Sequence, residues 1–133
     1  MSQIMLDTNI CIYIIKNKPE HVREKLKCYN VGDLALSSIT LSELYYGAYK
    51  SQYVEKNILA LEHFLKPFDI VEYDLKASIE YGKIRANLEK SGQMIGGLDM
   101  LIAAHAKSLN MTLVTNNTKE FERIDGLVLD NWV

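Results

Sequence analysis

The chain has 133 residues, 48% of them hydrophobic, and a formal net charge of −2. That length fits one domain with a core large enough to need no disulfide support, and the slightly acidic balance excludes a protein that holds nucleic acid by bulk positive charge. No apolar stretch is long enough to span a bilayer and no charged start precedes an apolar signal core, so a cytoplasmic protein without a membrane partner is expected.

Ile4, Met5 and Leu6 form a short apolar run that suits a fully buried strand at the centre of a parallel sheet. It ends at Asp7, whose carboxylate falls where a strand's carboxyl end opens to solvent, the place where open α/β sheets bind ligands. Thr8 and Asn9 offer capping side chains for a helix through Ile10, Ile14 and Ile15, and Asp7 has an equally plain reading as that helix's cap. Cys11 lies in this helix and Cys28 near the end of the next, with no C-x-x-C or Cys/His grouping, which predicts two reduced thiols and no zinc site.

Pro19 fits the first turn of a short helix reaching about Tyr29, with a turn over 30–33 after it. Leu34, Ala35, Leu36 and Ile39 predict the second strand, and Thr40 with Glu43 spells a T-x-x-E capping box for a third helix to about Ser51. Ile58, Leu61 and Leu65 stripe a fourth helix that Pro67 ends. Residues 69–73 predict a third strand, and Ala77, Tyr81, Ile84 and Leu88 recur at helical spacing. After the glycines at 92, 96 and 97, a small-residue helix is expected from Asp99 through Ile102, Ala103 and Ala106. A fourth strand follows at 112–115, ending in Asn116 and Asn117, and an edge strand at 127–129. The alternation predicts an α/β fold in three layers, a mainly parallel, twisted sheet of four to five strands with helices on both faces.

Three acids then occupy equivalent places: Asp7 after strand one, Glu43 in the helix after strand two, and Asp99 at the start of the helix leading into strand four. Asp99 shares a helix face with Ile102, Ala103 and Ala106, which puts a carboxylate on a buried stripe. Each acid has a plain explanation as a cap or a first-turn charge. Together at one end of one sheet they would repel and raise one another's pKa values unless a cation neutralised them. Oxygen ligands without His or Cys suit a hard cation, Mg²⁺ or Mn²⁺.

The blocks M-L-D-T-N at 5–9, S-S-I-T-L-S-E-L at 37–44, I-G-G-L-D-M-L-I-A-A-H-A at 95–106 and V-T-N-N-T-K-E-F at 114–121 resemble the signature blocks of PIN-domain ribonucleases. More narrowly they are similar to the VapC toxins of bacterial toxin–antitoxin pairs. The resemblance runs nearly end to end and implies a single PIN domain over 1–133. It implies a Mg²⁺-dependent endoribonuclease (Mn²⁺ substituting) that is a homodimer and is held inactive by a cognate VapB antitoxin. The RNA it implies is structured, with the anticodon stem-loop of initiator tRNA as the candidate substrate. Carried over residue by residue, the shared acids are Asp7, Glu43 and Asp99, with Asp7 and Asp99 as metal ligands. Thr8, Asn9 and Thr115 stand beside them in the motifs. The fourth acid common in PIN domains falls on Asn117 here, a departure, and Glu120 is the nearest residue that restores the charge.

Asn117 keeps a second class of function open, a PIN-like module that has lost catalysis and acts through protein contacts. A phosphoacceptor receiver domain is also α/β, but no lysine motif follows strand four to support Asp74. His21, His63 and His105 are scattered and have no nucleophile beside them, so surface or structural roles are expected, for His105 a buried, hydrogen-bonded imidazole. Tyr45, Tyr46 and Tyr49 read as packing or interface residues before stacking platforms for bases. The lysines and arginines at 16–27 and 83–90 read as solvated faces.

Overall fold

The computed structural model describes residues 3–133. Its strands are β1 (Ile4–Leu6), β2 (Leu34–Ser37), β3 (Asp69–Val71), β4 (Thr112–Val114) and β5 (Leu129–Asp130). The helices are α1 (Thr8–Lys16), α2 (Glu20–Leu26), α3 (Ser38–Tyr49), α4 (Val54–Leu65), α5 (Leu75–Ser91), α6 (Gly97–Ser108) and α7 (Thr118–Phe121). All strand pairs are parallel and the order is β3-β2-β1-β4-β5. The apolar runs of β1 and β2 are buried at every residue, as strands covered on both faces must be. No helix among the described residues is long and apolar enough to cross a membrane.

Alternation along the strands divides the core into two layers. Ile4, Leu6, Leu34, Leu36 and Val114 pack against α1, α2, α3 and α4, with Trp132 closing that side. Met5, Ala35 and Leu113 face α5, α6 and Phe121 of α7. The chain runs outward from β1 to β2 and β3, then returns to the far side of β1 for β4 and β5. The carboxyl ends of β1 and β4 therefore form the switch point where such sheets open a crevice.

Several boundaries differ from the sequence expectation, each for a local reason. The second strand stops at Ser37, because the Ser37 hydroxyl accepts the Ile39 N–H at 3.1 Å and starts α3 three residues earlier than the T-x-x-E box predicted. Thr40 is consequently buried inside the helix, and Glu43 belongs to its second turn and caps nothing. Asp7, not Thr8 or Asn9, is the N-cap of α1. Pro19 is the N-cap of α2, which ends at Leu26. The third strand is shorter than expected, Asp69–Val71, and lies at an edge with Ile70 exposed. The helix bearing Asp99 begins at Gly97, and the last strand is shifted to Leu129–Asp130. Gly92 is the left-handed cap that ends α5, at φ 68°. Both cysteines are free, Cys11 buried and Cys28 exposed.

Candidate active site

The row of side chains just beyond the strand ends is polar. Continuing the β1 registers with Ala35 and Val114 by residue places Ser37 and Thr115 on either side of Asp7. All three are buried, and Asp7 retains only 4% of its surface. Asp7 is held from two directions. One carboxylate oxygen, Oδ1, accepts the Ile10 N–H at 2.9 Å and caps α1, while Oδ2 accepts the Thr115 hydroxyl at 2.5 Å. The capping and functional readings of Asp7 are thus compatible, since a carboxylate has about four lone-pair sites and these bonds use two. Burial pushes the Asp7 carboxyl above its ordinary value, opposed by the Thr115 and Ile10 bonds, with Glu43 adding repulsion.

Thr8 reaches across to α3, its hydroxyl donating to Glu43 Oε1 at 2.7 Å. One Glu43 oxygen is thereby fixed and Oε2 is left for another partner. Asn9 is exposed on α1 and bridges nothing to the acids through its side chain. On α6, Asp99 is half-buried, while Ile102, Ala103 and Ala106 on its face are fully packed, as the spacing predicted. The Asp99 carboxyl is pushed up to about 6, first by burial and then by the charges of Glu120, Asp7 and Glu43. A methyl group at Gly96 would sit 3.4 Å from Asp99 Oδ2, so the glycine leaves that oxygen approachable.

Asn117 and Glu120 act as a pair: the Asn117 amide donates to Glu120 Oε2 at 3.0 Å, and the Asn117 N–H donates to Thr115 Oγ1 at 3.0 Å. Asn117 is the N-cap residue of α7 but its side chain makes no capping bond, because it is turned toward Glu120. The structure therefore brings Glu120, Asp7 and Glu43 within electrostatic range of Asp99, with Thr8, Thr115 and Asn117 holding these three.

The donor set suits a hard divalent cation: four carboxylates, of which Asp7 and Asp99 have their pKa values raised by burial and by neighbouring acids, with no Lys or Arg paired to any of the four among the described residues. Among the same residues, no three such side chains are drawn together tightly enough to enclose an ion unaided. An ion there would keep several waters, which is the usual habit of Mg²⁺.

Beside Glu43 opens a cavity of about 470 Å³, walled by Ile12, Ile15, Leu44, Ala48 and Leu61 and flanked by Lys16 and Lys50. Of the tyrosines on α3, half-buried Tyr45 stacks on the exposed Tyr49, and Tyr46 is exposed as well, with Lys50 over its ring. The other two histidines lie away from the acids at exposed positions on α2 and α4. Besides the Thr115–Asp7 bond, two features escaped sequence reasoning. The first is the Thr8–Glu43 bond, which joins residues 35 apart and has no local signal. The second is the partner of His105: the imidazole is buried and hydrogen-bonded, as expected, but its contact with Ser37 has no local signal.

The two candidate fourth ligands make different predictions. Glu120→Gln removes a charge that bears on Asp99, so the Mn²⁺ concentration for half-maximal effect is expected to rise about tenfold or more, on the scale of losing a metal site's supporting group. Asn117→Ala removes only the amide that steadies Glu120. One neutral hydrogen bond is worth roughly 0.5–1.5 kcal/mol, and only part of that reaches the metal, so the expected cost is less than about threefold. A Mn²⁺ titration of both variants beside the parent decides, and the reverse ranking would make Asn117 the ligand.

A family model described as the PIN domain matches residues 4–127. The tRNA(fMet)-specific endonuclease VapC of Shigella flexneri is 48% identical over 132 residues, 99% of each chain. Among solved structures, DNA-bound VapBC from Salmonella typhimurium aligns with a TM-score of 0.94 at 47% identity over 100% of both chains. VapBC2 from Rickettsia felis, bound to a promoter DNA fragment, aligns with a TM-score of 0.91 at 43% identity over 98% of both. A buried aspartate at the switch point, with Glu43 and Asp99 near enough to act on it, is thus set in a chain that matches these proteins along its whole length. The chain belongs to the PIN-domain family and, within it, to the VapC ribonucleases.

Proposed function

We propose that the protein is the toxin of a type II toxin–antitoxin pair, an endoribonuclease dependent on Mg²⁺, with Mn²⁺ able to substitute. Its relatives are named as tRNA(fMet)-specific endonucleases, and structured RNA of the initiator tRNA anticodon stem-loop kind is the substrate class we assign. The observation that carries this reading is the Asp99 carboxyl raised to about 6 by burial and by Glu120, Asp7 and Glu43, four acids that favour a dication at the sheet's switch point.

When bound, the cation supplies Lewis-acid polarisation of the scissile phosphate and lowers the pKa of a water. Asp7 and Asp99 would hold it. Asp7 is oriented for this by the Thr115 hydroxyl and the Ile10 N–H, which leave its remaining lone pairs free. Glu43, whose Oε1 accepts from the Thr8 hydroxyl, would have Oε2 left to orient the attacking water and accept its proton. Glu120 adds charge that strengthens the hold on the cation.

For partners, the apolar cavity beside Glu43 supports docking of a VapB-type antitoxin segment, in keeping with the VapBC complexes among the structural neighbours. An arginine on that segment would pair with the acids and stand in the cation's place. A homodimer is the assembly we assign to the free toxin, with exposed Tyr46 and Tyr49 as surface available to an interface. The alternative, a protein-interaction module without catalysis, rested on Asn117. It loses ground because Glu120 provides a carboxylate beside Asp99.

Incubating the purified protein with initiator tRNA, with Mn²⁺ or with excess chelator, tests the reading. Cleavage in the anticodon stem-loop is expected only with the metal. Cleavage that persists in chelator, or none under either condition, would overturn it.

A further inference from the structure

His105 lies on α6, the helix of Asp99, and is 1% exposed. Its Nδ1 is 2.7 Å from the hydroxyl of Ser37, which is fully buried and 68 residues away in sequence. Ser37 has three roles at one spot. It ends β2, it caps α3 by accepting the Ile39 N–H at 3.1 Å, and by register it is the neighbour of Asp7 in the polar row. The next residue joins the same knot, since Ser38 Oγ accepts the Tyr73 N–H at 3.0 Å and the Tyr73 ring meets the imidazole edge-on.

The direction of the Ser37–His105 bond is set by which ring nitrogen carries the proton. Burial lowers the His105 pKa, against the opposing influence of the Asp74 carboxylate and the Glu72 carbonyl, and keeps the ring neutral. In the neutral ring with its proton on Nε2, Nδ1 is an acceptor, and Ser37, with one lone pair already engaged by the Ile39 N–H, gives it its only proton. That commits the hydroxyl to α6. A freed Ser37 hydroxyl would have Asp7 beside it in the row, and a bond there would occupy a lone pair the cation needs.

We propose that His105 is a positioning residue for the metal site, fixing the start of the Glu43 helix against the Asp99 helix and holding the Ser37 hydroxyl away from Asp7. It touches neither the cation nor the RNA. Its effect reaches the chemistry through where Glu43 and Asp99 stand and through the lone pairs left on Asp7. The inference rests on the proposed metal-dependent reading of the site.

The test compares His105→Phe, which keeps the ring volume but cannot accept a hydrogen bond, with His105→Asn, whose amide can occupy the Nδ1 position. Ser37→Ala and the Ser37→Ala/His105→Phe double variant complete the cycle. Mn²⁺ affinity is read from the rise in melting temperature on titration, and kcat and KM from RNA cleavage. His105→Phe is expected to weaken Mn²⁺ binding at least fivefold and lower kcat with KM unchanged, and His105→Asn to recover both to within twofold of the parent. The double variant should be no worse than His105→Phe, because the two residues act through one bond. If His105→Phe does not fold, Ser37→Ala carries the same expectation for kcat at unchanged KM. A folded His105→Phe with parental Mn²⁺ affinity and kcat, or a His105→Asn as impaired as His105→Phe, overturns the inference alone. A parent that shows no Mn²⁺ shift and no cleavage overturns the functional reading and the inference with it.

Discussion

Asp7→Asn and Asp99→Asn are each expected to reduce metal-stimulated RNA cleavage by more than about 100-fold, beyond the ~10–100-fold seen when only a group supporting a metal ligand is lost. The loss should be chemical and not structural. At Asp7, asparagine is as good a helix cap as aspartate, so its oxygen can keep the Ile10 N–H bond, and the Thr115 hydroxyl can turn to accept from the new amide. Removing a buried charge that Glu43 repels also relieves the desolvation that pushes the Asp7 carboxyl up. The metal-free variant should therefore melt at or slightly above the parental temperature while its Mn²⁺-induced stabilisation disappears. Parental cleavage rates in either variant would remove the residue from the metal site.

The second large effect is a dependence on pH governed by Asp99, whose carboxyl is pushed up to about 6 from an ordinary value of 3.8. Below pH 6 the group is protonated and must release a proton to bind a cation, so cleavage at fixed low Mn²⁺ is expected to fall about tenfold per pH unit there. Stability without metal runs the other way. The folded state binds more protons than the unfolded state between about pH 4 and 6 at this group, so its contribution declines as pH rises through that window. For a half-exposed carboxyl, solvent screening reduces the effect to about 1 kcal/mol, or roughly 3–5 °C for a domain of this size. His105 contributes with the opposite sign. Its lowered folded pKa makes the unfolded state bind more protons below pH 6.5, so its contribution to stability rises with pH. Comparing parent and Asp99→Asn melting at pH 5 and pH 7.5 in chelator cancels the His105 contribution. The parent should lose stability relative to the variant at the higher pH. An unchanged difference between the two proteins would show that Asp99 titrates normally.

Much of this architecture could be read from residue order, because buried parallel strands are written as unbroken apolar runs. Ile4–Leu6 and Leu34–Leu36 announced themselves in this way, and the polar residue after each marks the site. The helix starts were less legible. Thr40 and Glu43 match a capping box in spacing, yet Ser37, at the end of the strand, wins the cap because its extended backbone already points its hydroxyl at the Ile39 N–H. β3 was overextended because its residues at 72 and 73 are compatible with a strand but leave the ladder at the sheet's edge, where no further strand rewards pairing. Within the site, Asp7, Glu43 and Asp99 were visible as acids placed at equivalent ends of strands or helices. Their holding partners were not, since Thr8 to Glu43, Thr115 to Asp7 and Ser37 to His105 are bonds across the fold that no local pattern encodes.

The central position of β1 fixes when, during synthesis, the site can exist. This strand is made before the other four, but one of its two neighbours, β4, is made fourth, and the hydroxyl that grips Asp7 lies 108 residues further on. At about 5–20 residues per second, that interval is roughly 5–20 s during which β1 and its aspartate are present without β4, Thr115 or a completed Asp99 helix. Pairings so distant in sequence are also slow to form because loop closure precedes any reward. A nascent or truncated chain ending before Thr115 therefore carries the aspartate but not the site, and nuclease competence waits until β4 and the residue after it have been made.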